Sequence, residues 1–221
     1  MKLACPYFNS LIEVKEGIPF SLVIEDQPLF RRVLTDIHSQ LSGNDGDTVL
    51  SIGNMPVPVN RYADIIESFA PFDINTKALL AKVTADMERT AVDEKHYLST
   101  SQLLSDIERY FSELCFDLPL RTECRKLSAQ SLIKAASVAI SDDFEDQIEE
   151  IVSYMSLILD FDKKKLFVTV NMRSYFDDEE IKRFICAVRQ KNISVLMIEN
   201  CAHNALCGTE RLVIDRDLCE F

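Results

Sequence analysis

Glycine is scarce in this chain, with five in 221 residues. Gly-rich turns are what allow a backbone to wrap phosphates. Neither GxxxxGK[ST] nor GxGxxG occurs, so the β and γ phosphates of a nucleotide have no cradle and ordinary P-loop hydrolysis is not expected. Positive charge is also short. There are 24 Lys and Arg against 36 Asp and Glu, a net charge of −12, and the pI is about 4.7. As a sum this opposes nucleic-acid binding, but an acidic shell can still carry one local basic surface. No run of ~18 apolar residues is present, so no membrane helix is expected. Residues 1–20 lack the basic start and apolar stretch of a secretory signal, and a cytoplasmic protein is expected. The seven cysteines (Cys5, Cys115, Cys124, Cys186, Cys201, Cys207 and Cys219) are odd in number and scattered. They read as reduced thiols.

What is present reads as α/β at both ends. Phe20 to Ile24 (FSLVI) is a strand run. Glu25, Asp26 and Pro28 then open a helix carrying Leu29, Phe30, Val33, Leu34 and Ile37. After the turn-rich Ser42 to Asp47, Val49 to Ile52 is a second strand, which Asn54 to Pro58 breaks. From Tyr62 to about Met155 apolar residues recur at three and four, among them Leu79, Leu80 and Val83, then Leu103, Leu104, Ile107, Tyr110, Phe111 and Leu114. This long middle lacks glycine and is expected to be helical, with joints at Pro71 and Pro119. Leu166 to Val170 (LFVTV), a helix from Ile181 to Lys191 behind the acids Asp177 to Glu180, and Val195 to Ile198 form a βαβ unit with a parallel pair. Arg211 to Asp217 adds a strand. The expected organisation is an α/β head in two parts, residues 1–60 and 156–221, interrupted by a helical extension over 61–155.

Several residue sets carry chemistry by type. Val170-Asn171 ends a strand where a P-loop enzyme places a magnesium-binding acid, and Asn is a poor substitute. Cys201, His203 and Cys207, with Cys219 as a fourth, are the best zinc ligands by type, but their spacing fits no common module; the competing reading is incidental loop residues. A Cys–His pair would join Cys201 or Cys115 to His96 or His38, and nothing in the spacing brings them together. Asp142, Asp143, Glu145, Asp146, Glu149 and Glu150 are rich enough in oxygen for calcium. The alternative is a helix N-terminus capped by Ser141 or Asp142. Arg121, Arg125, Lys126 and Lys134 lie along one helical region, with Lys77 and Lys82 on another. These read equally as a backbone-reading strip or as solvated helix faces.

Four ordered stretches go further. They are Leu22-Val23-Ile24-Glu25-Asp26 with Phe30; Phe72-Asp73-Ile74-Asn75 before the helix 79–88; Leu132-Ile133-Lys134; and Lys163 to Asn171 with Asp178-Glu179-Glu180 and Val195 to Glu199. Together they resemble the short Csn2 family, the CRISPR-associated adaptation proteins of type II-A systems. The resemblance implies a degenerate P-loop-like head with a helical extension, assembled as a ring-shaped homotetramer. It implies sequence-independent binding of double-stranded DNA ends in a lysine-lined hole, with no enzymatic activity and no nucleotide, in support of spacer acquisition. The implied partners are DNA ends, further copies of the chain, the CRISPR integrase proteins and the effector nuclease.

Lys134 is matched by the family stretch and is the first expected DNA contact, followed by Lys126, Arg125, Arg121 and Lys82. The resemblance also implies calcium, held by acids before the Leu-Ile-Lys helix. Here only Asp117 and Glu123 remain acidic in that segment, while Arg121, Arg125 and Lys126 are basic. Calcium is therefore expected to be weak, displaced or replaced by fixed positive charge. The alternatives from other classes are a degenerate nucleotide-binding regulator and a protein–protein scaffold without DNA binding.

Overall fold

The computed structural model describes residues 1–116, 118, 122, 126–141, 143–162 and 165–221. The chain forms two compact units, residues 1–73 with 143–221, and residues 74–142.

The first unit is mixed α/β. Its centre is a five-stranded sheet ordered β6-β7-β8-β3-β9, with every neighbouring pair parallel. The strands are β3 (Phe20–Ile24), β6 (Ala63–Ile66), β7 (Leu166–Val170), β8 (Ser194–Glu199) and β9 (Glu210–Ile214). All residues of β3, β7 and β8 are buried. Those stretches read as unbroken apolar runs because both faces of a parallel sheet are covered.

On one face Leu22, Ile24, Val168, Leu196 and Ile198 pack against Leu29, Val33 and Ile37 of helix α1 (Gln27–Leu41). The same cluster includes Leu3, Ile12 and Leu50 of a four-stranded antiparallel sheet. That sheet is ordered β2-β1-β4-β5, with β1 (Lys2–Ala4), β2 (Ile12–Glu13), β4 (Val49–Ile52) and β5 (Met55–Val57). Alternate residues such as Phe167, Thr169 and Met197 point to the other face. There helices α6 (Gln147–Phe161) and α7 (Asp178–Gln190) pack on each other and bury Ile151, Met155, Ile181 and Phe184. A short helix α2 (Val59–Tyr62) leads into β6.

Three expectations need correction. Ala63–Ile66 belongs to the sheet rather than to the helical extension, because it pairs in parallel with β7. Residues 147–161 likewise belong to the α/β unit, so the helical unit is narrower than 61–155 at both ends. Met55–Val57 does not end a strand. It folds back antiparallel on β4 around Gly53, whose φ of +62° suits glycine.

The helix N-termini follow their acids. Asp26 accepts from the Leu29 amide at 2.7 Å and opens α1. Asp177 and Glu180 form a capping box on α7. The cap of α6 is Asp146, which accepts from the Glu149 amide at 2.9 Å. It replaces the expected Ser141 or Asp142, and Asp142 lies outside the described residues.

The second unit is helical: α3 (Lys77–Ala91), α4 (Tyr97–Phe116) and α5 (Ala129–Ala135). No helix among the described residues is long and apolar enough to cross a membrane.

Candidate nucleic-acid interface

The carboxyl ends of the parallel strands are where an α/β sheet offers a ligand site. At the end of β3 the first turn of α1 would be the phosphate position. Its Leu29 amide is already given to the Asp26 carboxylate, and Pro28 has no N–H to give. A fixed carboxylate therefore sits where a phosphate would need free donors. At the end of β7, Asn171 turns left-handed with φ 53°. Its Oδ1 accepts from the Asn200 amide at 2.9 Å, tying the ends of β7 and β8 together.

The two histidines that a cysteine–histidine pair would need lie against carboxylates instead. His38 Nε2 lies 2.6 Å from Glu67 and His96 Nδ1 lies 2.9 Å from Asp93. Cys201 instead lies 3.2 Å from Nε2 of His203, two residues on. Among the described residues no group of three His, Cys, Asp or Glu converges on a point that would hold a metal, so Cys201, His203, Cys207 and Cys219 do not assemble a zinc site. The acids around α6 serve the helix. Asp146 caps it and pairs with Arg183, and Glu149 accepts from the Glu145 amide at 2.7 Å. The Asp146 carboxyl is held below the usual range by the Glu149 amide first and by Arg183 after it. The expected calcium ligands Asp117 and Glu123, and the expected DNA contacts Arg121 and Arg125, lie outside the described residues.

The remaining basic candidates fall on the helical unit, whose charge differs from that of the head. Of the chain's 24 Lys and Arg and 36 Asp and Glu, residues 74–142 hold nine and ten. The α/β unit holds fifteen against twenty-six, so it carries nearly all of the acidic excess.

Within the helical unit the segment 126–141 runs antiparallel to α3. Gln130 Nε2 donates to Glu88 at 3.3 Å near one end. At the other end Asn75 Nδ2 donates to the Ile140 carbonyl at 3.2 Å, and the Ile140 amide donates to Asn75 Oδ1 at 2.7 Å. Lys134 and Lys82 both lie in sequence between these anchors. Lys134, in the last turn of α5, is exposed and forms no ion pair among the described residues. Lys126 and Lys77 are exposed too, while Lys82 is half-buried and has interactions of its own. Lys134 and Lys82 thus fall on the two packed helices α5 and α3 of one unit.

Sequence reasoning missed one feature. The twenty residues of α4 include none that is buried. Leu103, Tyr110 and Leu114 are 53 %, 57 % and 44 % exposed, with Phe111 beside them. Their spacing of seven and four puts them on one stripe. From the sequence that stripe was indistinguishable from a core face, because periodicity reports amphipathicity and not what covers it.

The model of the family described as CRISPR-associated protein (Cas_Csn2) matches residues 40–218. A CRISPR-associated protein Csn2 of Enterococcus faecalis is 22% identical over 185 residues, covering 80% of this chain and 81% of the relative. Among solved structures, a putative ABC transporter ATP-binding protein from Pyrococcus furiosus aligns with a TM-score of 0.39 and 11% identity, over 96% of this chain and 97% of that one.

Proposed function

The chain belongs to the Csn2 family of CRISPR-associated proteins, and from that premise we propose that it serves CRISPR adaptation by holding double-stranded DNA ends without sequence preference. In this reading the chain has no catalytic role and binds no nucleotide. It assembles as a ring-shaped homotetramer around the duplex and works with the CRISPR integrase proteins and the effector nuclease.

The observation that carries the reading is the placement of charge. Lys134 is exposed and unpaired among the described residues, in a unit of nearly balanced charge; the other unit carries the acidic excess. An acidic remainder and a basic strip steer a polyanion to one place. Phosphate contacts alone give affinity without base readout. Assembly is supported by the uncovered apolar stripe Leu103, Tyr110 and Leu114, which a lone chain leaves in water. The Asp26 cap on α1 favours this reading over a nucleotide-binding regulator, and it supports a degenerate P-loop-like head.

The test is duplex binding across a salt series for the unmodified protein and Lys134→Glu. A weaker affinity and a salt slope reduced by about 1 are expected for the variant, with the assembled mass unchanged. Equal affinity at low salt would remove Lys134 from the interface. Calcium, if it acts here, acts through Asp117 and Glu123. Titration of Asp117→Asn with Glu123→Gln by calorimetry reads that out, and an unchanged calcium heat would exclude both residues.

A further inference from the structure

Two arginines of the α/β unit face one small cavity between α7, the loop after β8 and the sheet. The cavity measures about 10 Å³, and Ser21, Met197, Asn204 and Thr209 complete its wall with Arg173 and Arg211. That is room for one occupant of about the size of water.

The two guanidiniums are not equally satisfied. The Arg173 side chain is only 9% exposed; it donates to the Asn204 carbonyl at 2.7 Å and pairs with Asp178 at 2.6 Å. Arg211 donates Nη1 to the His203 carbonyl at 2.9 Å. Its Nε is buried and has no partner. Among the described residues no carboxylate pairs with Arg211. A buried donor without an acceptor is costly, and a half-buried cation without a counter-ion adds to the cost.

The nearby carboxyl does not fill the gap. Glu199 follows Met197 on the same face of β8, and its Oε1 accepts from the Arg173 amide at 3.2 Å. Burial pushes its pKa to about 7, so it is a weak counter-charge at neutral pH. The pKa of His203 is lowered first by burial and then by Arg173; Asp178, the partner of Arg173, opposes this, and Arg211 lowers it further.

We propose that this cavity is a binding site for a single monovalent halide ion, chloride under cellular conditions, held by the Arg211 Nε–H and the uncompensated charge of that guanidinium. A halide exceeds a one-water space by much less than phosphate or sulfate does. The ion supplies the acceptor and the counter-charge that the chain does not. It also fastens the loop carrying His203 and Asn204 to β9. The site is independent of the DNA reading.

The experiment compares unfolding temperatures in chloride, bromide and gluconate at one fixed ionic strength, for the unmodified protein and Arg211→Gln. Bromide anomalous diffraction from a crystal of the unmodified protein accompanies it. The expected result is a saturable rise in unfolding temperature with chloride and bromide, none with gluconate, no halide effect in Arg211→Gln, and a bromide peak at hydrogen-bonding distance from Arg211 Nε. Equal stability in the three salts, a halide effect that survives in Arg211→Gln, or density at Nε that bromide does not replace would each overturn the proposal; the last outcome leaves a water there. The diffraction arm decides the question even if Arg211→Gln does not fold.

Discussion

Asn75 and Ile140, 65 positions apart, exchange two hydrogen bonds, one from the Asn75 side-chain amide to the Ile140 carbonyl and one back from the Ile140 amide. Because these residues stand at the start and end of the helical unit, the pair closes the unit on itself. The closure holds the segment of Lys134 antiparallel to α3. Replacing Asn75 by Ala removes both partners at once and leaves the Ile140 amide and carbonyl to find water. The expected cost is about 1–3 kcal/mol. Hydrogen exchange should show it as lost protection at residues 129–140 with the sheet strands unchanged. Unchanged protection there would mean that α3 and α5 hold each other without the clamp.

Glu199 sets a pH dependence of known sign. Its folded pKa of about 7 lies above the ordinary value of 4.5 because the carboxyl is buried, against which the Arg173 amide and guanidinium pull only partly. The folded state therefore binds this proton more tightly than the unfolded state. The contribution is fully present below the unfolded pKa and is lost as pH rises through about 7. Over that window the loss is on the order of 3 kcal/mol. Glu199→Gln keeps the shape and removes the titration. Denaturant unfolding between about pH 5 and 8 should show the unmodified protein losing stability relative to the variant. Parallel curves would contradict the assignment.

The exposed stripe of α4 makes a prediction about mass. Tyr110→Asp with Leu114→Asp places charge on surface that already faces water in the single chain. Folding of the chain should therefore change by less than about 1 kcal/mol. If the stripe is covered in an assembly, the buried charges are costly and the assembly falls apart. Sedimentation velocity should show a species of at most half the original mass. An unchanged mass would place the assembly surface elsewhere.

Much of the head was legible because buried parallel strands leave unbroken apolar runs, as at Phe20–Ile24, Leu166–Val170 and Ser194–Glu199. Ala63–Ile66 escaped notice because an edge strand is short and its Asp64 is polar. Its role depends on a partner strand about 100 residues away, which local periodicity cannot report. Met55–Val57 was hidden by Pro56, which an edge strand tolerates. For the site, charge pattern and resemblance pointed to Lys134, but the packing of its segment along α3 depends on the Gln130–Glu88 and Asn75–Ile140 bonds. The cavity beside Arg211 was illegible, because it joins β3, β9 and the loop after β8.

The central claim is that the protein holds duplex ends rather than duplex in general. Binding to linear and covalently closed circular DNA of one sequence, measured over a salt series with the assembled mass recorded alongside, tests it most directly. The account predicts a tetramer that binds the linear form with steep salt dependence and leaves the closed circle free. Equal binding to both forms would contradict end capture, and binding to neither would contradict a DNA role altogether.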